Sequence, residues 1–126
     1  MIKVLLADER PEVRRGLRMW LTLQPDVTVV GEAGDNAELL TLVWEQQPDV
    51  VLLDVGLPGS DGLATAAALR EVAPGSAVIL VALRDDAALR ERAQAAGAAF
   101  ICKQEPCDRL LGALRRAAAP VDAAGR

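Results

Sequence analysis

The sequence predicts one α/β domain in which helices cover both faces of a parallel sheet. Short apolar runs alternate strictly with segments of helical periodicity, five of each, along 126 residues. This alternation favours parallel strands, because each helix returns the chain to start the next strand in the same direction. The run Val50–Leu53 adds a third observation. It is wholly apolar and lies between Pro48 and Gly56, as is typical of a strand buried on both faces.

The expected strands are short and rich in Val, Leu, Ile and Ala. They are Ile2–Ala7, Val27–Val30, Val50–Asp54, Ala77–Ala82 and Ala99–Cys102. Five helices are expected between and after them, each delimited by a proline, a glycine or a capping side chain. They are Glu12–Leu23, Ala37–Gln47 capped by Asn36, a stretch after Gly62 that ends near Val72, a stretch around Leu89–Ala96 capped by Asp85 or Asp86 and ended by Gly97, and Pro106–Ala118.

Apolar side chains recur every three or four residues on the first two helices, which gives each an inner face. The opposite side of the first helix carries Arg14, Arg15 and Arg18, which are expected to form a solvated face. Trp20 and Trp44 fall on the apolar faces, so both are expected in the core.

Composition narrows the function classes. The net charge of −4 gives no support to nonspecific binding of nucleic acid, which needs a basic face. No apolar run approaches the roughly 20 residues that span a bilayer, and the N-terminus turns acidic too soon for a signal peptide. A cytoplasmic protein is therefore expected. The two cysteines are Cys102, expected to be buried, and Cys107, expected to be exposed or half-exposed. They are too few for a disulfide framework, and the absence of histidine excludes a Cys/His metal set.

Charged residues collect at the carboxyl ends of three predicted strands. Asp8 and Glu9 follow the first strand, Asp54 ends the third, and Lys103 follows the fifth. In parallel sheets these ends share one edge, where ligands bind. Carboxylates gathered there repel one another unless a cation lies between them, and oxygen ligands suit Mg²⁺. An aspartate can act as a nucleophile and form an aspartyl phosphate, with Lys103 as a point charge for the phosphate. A purely structural alternative is that Asp54 only caps a loop and Asp8 only caps the first helix.

The motifs together resemble the receiver domain of two-component response regulators, of the NarL/LuxR type, over residues 1–118. The matching segments, in order, are LLADERP at 5–11, VRRGL at 13–17, VVGEAGD at 29–35, PDVVLLDVGLPGSDGL at 48–63, VILVA at 78–82, and Phe100 with Lys103. The resemblance implies a flavodoxin-like doubly wound sheet of strand order 2-1-3-4-5 with five helices. Residues 119–126 are expected to be a flexible tail or the start of a linker.

The resemblance also implies a role for each site residue. Asp54 is expected to accept a phosphoryl group from a sensor histidine kinase, with Lys103 contacting the phosphoryl oxygen. Asp8, Glu9, Asp54 and the backbone carbonyl of Gly56 are expected to hold Mg²⁺. The switch positions are Ala82 and Phe100, and the residues that flank the phosphoryl group are Gly56 and Arg84. The domain is not expected to be a turnover enzyme.

The sequence departs from the receiver pattern at three places. Glu9 stands where the family has a second Asp, and Ala82 stands where it has the Thr or Ser whose hydroxyl binds the phosphoryl group. The span from Ala82 to Lys103 is one residue short. These departures keep open a degenerate receiver that binds proteins without being phosphorylated. A flavin-binding domain is disfavoured, because the loops lack a phosphate-binding nest and the chain has too few aromatic residues to enclose a flavin. Phe and Trp total three, and Tyr is absent.

Partners are expected from the same resemblance. A sensor histidine kinase is the expected phosphodonor, and the output is expected to be transcription, through a DNA-binding domain outside this chain. This chain itself is expected to bind neither nucleic acid nor membrane. The mixed charges on the fourth helix, fifth strand and fifth helix are compatible with a homodimer through that face.

Overall fold

A computed structural model describes residues 1–59 and 61–119 and shows strands and helices in strict alternation. The strands are β1 (Ile2–Ala7), β2 (Val27–Ala33), β3 (Val50–Asp54), β4 (Ala77–Ala82) and β5 (Ala99–Cys102). The helices are α1 (Pro11–Thr22), α2 (Asn36–Gln46), α3 (Gly62–Val72), α4 (Ala87–Ala95) and α5 (Cys107–Ala118). The tail expected at 119–126 lies outside the described residues, apart from Ala119.

All five strands pair in parallel, in the order β2-β1-β3-β4-β5. The predicted fold class and strand order are therefore confirmed. The chain moves from β1 to one edge through β2 and to the other edge through β3, so the strand order reverses between β1 and β3. A doubly wound sheet binds ligands beyond the carboxyl ends at such a point.

The sheet has an apolar core on each face because alternate residues of each strand point to opposite sides. On β1, Leu5 and Ala7 pack into one core, and Val4 and Leu6 pack into the other. Helices α2, α3 and α4 cover the first core with Leu39, Val43, Ala66, Leu69 and Ala93. Helices α1 and α5 cover the second core with Leu21, Ala113 and Leu114.

Aspartates cap three of the helices. The Asp35 side chain accepts a hydrogen bond from the Glu38 backbone N–H at 2.8 Å. Asp35 is therefore the cap of α2 and Asn36 is its first residue, which corrects the expectation for Asn36. Asp86, one of the two residues expected, caps α4. Gly97 follows α4 with a φ of 79°, a left-handed conformation that favours glycine and ends the helix as predicted.

Trp44 is not a core residue, contrary to the prediction. It is 81% exposed, and Leu40, one turn earlier, is 44% exposed. Helix α2 buries Leu39 and Val43 instead, and Trp44 lies about 100° further around the helix than Val43. Trp20 on α1 does pack against the second core as expected, although it is only partly buried. No helix among residues 1–59 and 61–119 is long and apolar enough to cross a membrane.

Candidate functional site

Three strand ends bring Asp8, Asp54 and Lys103 together. Asp8 directly follows β1, and Asp54 ends β3, the adjacent strand. Lys103 directly follows β5, on the far side of β4, and its backbone N–H donates to the carbonyl of Ala82 at 2.7 Å. The lysine stem spans the width of β4, so its Nζ lies 2.7 Å from Asp54 Oδ1 and 3.4 Å from Asp8 Oδ2. The gathering of these three side chains at one sheet edge was predicted.

Arg10 is a fourth member of the site and is not among the site residues expected from the sequence. Its Nε lies 3.1 Å from Asp8 Oδ1, and its Nη2 lies 3.1 Å from Asp8 Oδ2. Its backbone N–H also donates to Asp8 Oδ1 at 2.9 Å. The same Nη2 is 3.8 Å from Asp54 Oδ1. An available signal was the spacing, since an Asp side chain accepts readily from the backbone two residues on.

The two cations keep the buried Asp8 carboxylate charged. Burial by itself raises the pKa of Asp8, because a charged carboxylate is less favourable away from water. The hydrogen bonds from Arg10, together with the charges of Lys103 and Arg10, outweigh burial, so the pKa of Asp8 lies below its ordinary value. The hydrogen bond to Asp8 in turn raises the pKa of Arg10.

Asp54 is held at both oxygens but remains accessible. Oδ1 contacts Lys103, and Oδ2 accepts a hydrogen bond from the Gly56 backbone N–H at 2.9 Å. The Asp54 side chain is 15% exposed, so a reactant can reach it from solvent. A Cβ at position 56 would lie 3.1 Å from Oδ2, which is closer than most Cβ contacts, so glycine suits this position.

Glu9 does not join the other two carboxylates. It is exposed, and residues 1–59 and 61–119 contain no group of three or more His, Cys, Asp or Glu arranged to hold a metal. Asp8 and Asp54 nevertheless fit a hard divalent cation by their chemistry. Both carboxylates contact the ammonium group of Lys103, so they present oxygen ligands on the same side of the site.

Arg14 anchors the loop that carries Asp8 and Arg10. Its Nη1 donates to the backbone carbonyl of Asp8, and its Nε pairs with Glu32 at 3.1 Å. Arg18 pairs with the same glutamate at 2.6 Å. The Arg14 side chain is 18% exposed, so the expectation of a purely solvated arginine face on α1 is wrong for this residue.

The two positions predicted to act as a switch lie on β4 and β5. Ala82 and Phe100 are both buried in the same apolar core. The Arg90 guanidinium carbon lies 4.8 Å from the centre of the Phe100 ring, within the range of a cation–π contact. Arg90 is paired with Asp85 at 3.1 Å and with Glu105 at 3.5 Å, and the hydrogen bond with Asp85 is the main cause that raises the pKa of Arg90. Arg84 is exposed.

The cysteines lie as expected. Cys102, which precedes Lys103, is buried, and Cys107 at the start of α5 is exposed.

Comparison with known proteins shows what this chain resembles. The family model described as "Response regulator receiver domain" matches residues 4–115. The transcriptional regulatory protein LiaR of Bacillus subtilis is 36% identical over 118 residues, which are 93% of this chain and 56% of that protein. The probable transcriptional regulatory protein NarL of Mycobacterium tuberculosis is 40% identical over 103 residues, 81% of this chain and 48% of that protein.

The fold is also shared with solved structures. The signal receiver domain of the putative response regulator NarL from Mycobacterium tuberculosis superposes with a TM-score of 0.85 at 36% identity, covering 93% of this chain and 95% of that chain. This chain spans about half the length of the curated relatives it matches.

Proposed function

The chain belongs to the receiver domain family of two-component response regulators, of the LuxR/NarL type, and we propose that it accepts a phosphoryl group on Asp54. The observation that carries the proposal is the 2.7 Å contact between Asp54 Oδ1 and Lys103 Nζ, beside the buried Asp8. A carboxylate so placed is accessible and next to a positive charge, which is what a nucleophile for phosphoryl transfer requires.

The proposed reaction moves a phosphoryl group from a phosphohistidine to Asp54. A carboxylate oxygen of Asp54 forms the new P–O bond, the P–N bond of the donor breaks, and the donor imidazole keeps the electron pair and takes up a proton. Because this chain contains no histidine, the proposed phosphohistidine lies outside it, on a sensor kinase. Lys103 neutralises negative charge that passes to the phosphoryl oxygens.

Asp8 and Asp54 are proposed to hold Mg²⁺. Glu9, directly or through a water molecule, and the Gly56 carbonyl are proposed as further ligands. When bound, the ion supplies charge neutralisation for the phosphoryl oxygens. The exposure of Glu9 means that its share in the site depends on its side chain turning inward. Gly56, which carries no side chain, and Arg84 are proposed to flank the phosphoryl group.

The wider role is proposed by analogy with the longer relatives, whose names describe transcriptional regulators. This domain would control a DNA-binding domain outside this chain, without itself binding DNA or turning over a substrate. We propose that it meets its kinase in the cytoplasm, and that phosphorylated domains pair through the face of α4, β5 and α5. The family match supports this phosphoacceptor over a phosphorylation-independent interaction module.

The test is phosphorylation by a small-molecule donor. The wild-type chain, incubated with acetyl phosphate and Mg²⁺, should gain the mass of one phosphoryl group in an intact-mass spectrum. The variant Asp54→Ala should gain none under the same conditions. Asp61→Ala, which removes another loop aspartate, should be phosphorylated like the wild type. An unmodified wild type, or equal modification of Asp54→Ala, would contradict the proposal.

A further inference from the structure

Arg10 binds the carboxylate that the proposed function assigns to Mg²⁺, and we propose that it is a built-in competitor of that cation. In this arrangement the Arg10 guanidinium binds the Asp8 carboxylate in the metal-free domain and is displaced from it when the metal binds. The proposal rests on the proposed function, because it concerns the same magnesium site.

The hydrogen bonds of Asp8 carry the first step of the argument. A carboxylate offers about four lone-pair sites, two on each oxygen. Oδ1 accepts from the backbone N–H and the Nε of Arg10, and Oδ2 accepts from the Nη2 of Arg10 and the Nζ of Lys103. All four sites are therefore taken, three of them by Arg10. A metal ion can bind Asp8 only by displacing one of these donors.

The charges of the site carry the second step. Asp8 and Asp54 supply two negative charges, and Arg10 and Lys103 supply two positive charges, so the four groups are balanced. A divalent cation added to this set would leave two uncompensated positive charges beside a buried carboxylate, which is unfavourable. Loss of one cationic side chain from the site relieves half of that excess.

Exposure decides which cation leaves. The Arg10 side chain is 42% exposed, whereas the Lys103 side chain is 22% exposed. Lys103 is also held at 2.7 Å by Asp54, while Arg10 approaches Asp54 only to 3.8 Å. Arg10 precedes α1, so rotation of its side chain frees two of the four sites on Asp8 without moving the helix, while its backbone N–H stays bonded to Oδ1. The exposed Glu12, whose charge already acts on Arg10, offers the released guanidinium a partner.

The test is the affinity for Mg²⁺ in the absence of a phosphodonor, measured by isothermal titration calorimetry. Arg10→Gln should bind Mg²⁺ about tenfold more tightly than the control Arg15→Gln, corresponding to about 1.4 kcal/mol. Arg15 is exposed on α1, so the control removes the same charge from the same region without touching Asp8. Affinity of Arg10→Gln equal to or weaker than that of Arg15→Gln would overturn the proposal and leave Arg10 as a ligand of the phosphoryl group or as a loop anchor.

A conservative variant separates charge from geometry. Arg10→Lys keeps the charge but cannot bond both carboxylate oxygens through a planar fork. It should bind Mg²⁺ more tightly than the wild type and less tightly than Arg10→Gln. Should Arg10→Gln fail to fold, Arg10→Lys serves alone, and an affinity equal to the wild type would overturn the proposal.

The outcomes also distinguish this inference from the proposed function. If the wild type is phosphorylated on Asp54 but Arg10→Gln and Arg15→Gln bind Mg²⁺ equally, only the competition is wrong. If none of the proteins binds Mg²⁺, the magnesium site and the competition are both wrong. A thermal-shift measurement gives a second readout, because Mg²⁺ should raise the melting temperature of Arg10→Gln more than that of Arg15→Gln.

Discussion

Asp8 stays ionised although it is buried, and this single feature sets the character of the site. Its two oxygens are shared between Arg10 and Lys103, which keep its pKa below the ordinary value. An unpaired buried carboxylate would instead take up a proton. Lys103 therefore has two functions in the proposed chemistry, since it balances Asp8 in the free domain and faces the phosphoryl group on Asp54.

Replacement of Lys103 is the first prediction at the residue scale. Lys103→Met should slow phosphorylation of Asp54 by acetyl phosphate by about tenfold or more, because a positively charged group that stabilises a transition state is typically worth that much or more. The rate is measured by intact mass over time, with Mg²⁺ present. Lys3→Met is the matched control, since Lys3 is the other lysine of the sequence and bonds the carbonyl of Gln46, away from the site. Equal rates for both variants would contradict the role of Lys103.

Part of this site could be predicted from the sequence, and there is a physical reason why the rest could not. Asp8, Asp54 and Lys103 follow apolar runs, and parallel strands end at one edge, so their meeting could be predicted. The spacing of Asp8 and Arg10 signals only the backbone bond between them. The side-chain directions of Arg10 and Glu9 could not be predicted, because loop rotamers leave no periodic signal. The assignments of Glu9, Gly56 and Arg84 stay predictions.

Helix α2 shows the same limit at the scale of an element. Its register follows from the pattern, but the width of its buried face depends on how it lies on the sheet. Only Leu39 and Val43 reach full burial, while Leu40 and Trp44 face outward. Strands β1, β3, β4 and β5 match their predicted bounds in full, because their ends coincide with a charged residue or a turn. Strand β2 was predicted to end at Val30 but continues to Ala33, because Gly31 pairs with Leu5 instead of ending the strand.

Trp44 provides a stability prediction for α2. Trp44→Ser should change the free energy of unfolding by less than about 0.5 kcal/mol, as is usual for an exposed side chain. Leu39→Ala, five residues earlier and fully buried, should lower it by about 2–5 kcal/mol. Urea denaturation of both variants checks this difference. A large loss for Trp44→Ser would return the tryptophan to the core, as the sequence alone suggested.

A second element-scale prediction concerns the ion pair that joins α5 to the turn before β2. Arg115 Nε lies 2.8 Å from Asp26 Oδ2, and this hydrogen bond lowers the pKa of Asp26 from its ordinary 3.8. A lowered pKa stabilises the fold above the ordinary pKa, and the gain disappears as the pH falls through the folded-state value. The melting temperature of Asp26→Asn should therefore lie slightly below that of the wild type at neutral pH and converge with it in acid.

The size of that effect should be small, because both side chains are nearly half exposed and salt screens such pairs. Arg115→Met should show the same convergence in acid, and the double variant should lose no more than either single variant. A difference that persists unchanged at low pH would assign the effect of Asp26→Asn to something other than the ion pair.

At the scale of the whole molecule, the question is how the site communicates with the α4–β5–α5 face. The link in the structure is short. The carbonyl of Ala82 accepts from the backbone N–H of Lys103, and Phe100 lies in the same core as Ala82 with Arg90 over its ring. Arg90 then pairs with Asp85 before α4 and Glu105 before α5. Position 82 therefore lies between the proposed phosphoacceptor and the surface proposed for pairing, yet it has no hydroxyl to hold a phosphoryl oxygen.

The last prediction is that a hydroxyl at position 82 strengthens this communication. Amide hydrogen exchange in α4 and β5 is compared with and without beryllofluoride, a phosphoryl analogue, in the presence of Mg²⁺. The change should be small in the wild type and clearly larger in Ala82→Thr, because the added O–H can donate to the phosphoryl analogue and draw β4 toward it.

Ala82→Val is the matched control, since valine has nearly the shape of threonine without its hydroxyl, so crowding near Phe100 is the same in both variants. A response of Ala82→Val equal to that of Ala82→Thr would assign the effect to crowding. A wild-type response as large as that of Ala82→Thr would show that the effect of phosphorylation reaches α4 and β5 without the hydroxyl, through the backbone hydrogen bond between Lys103 and Ala82.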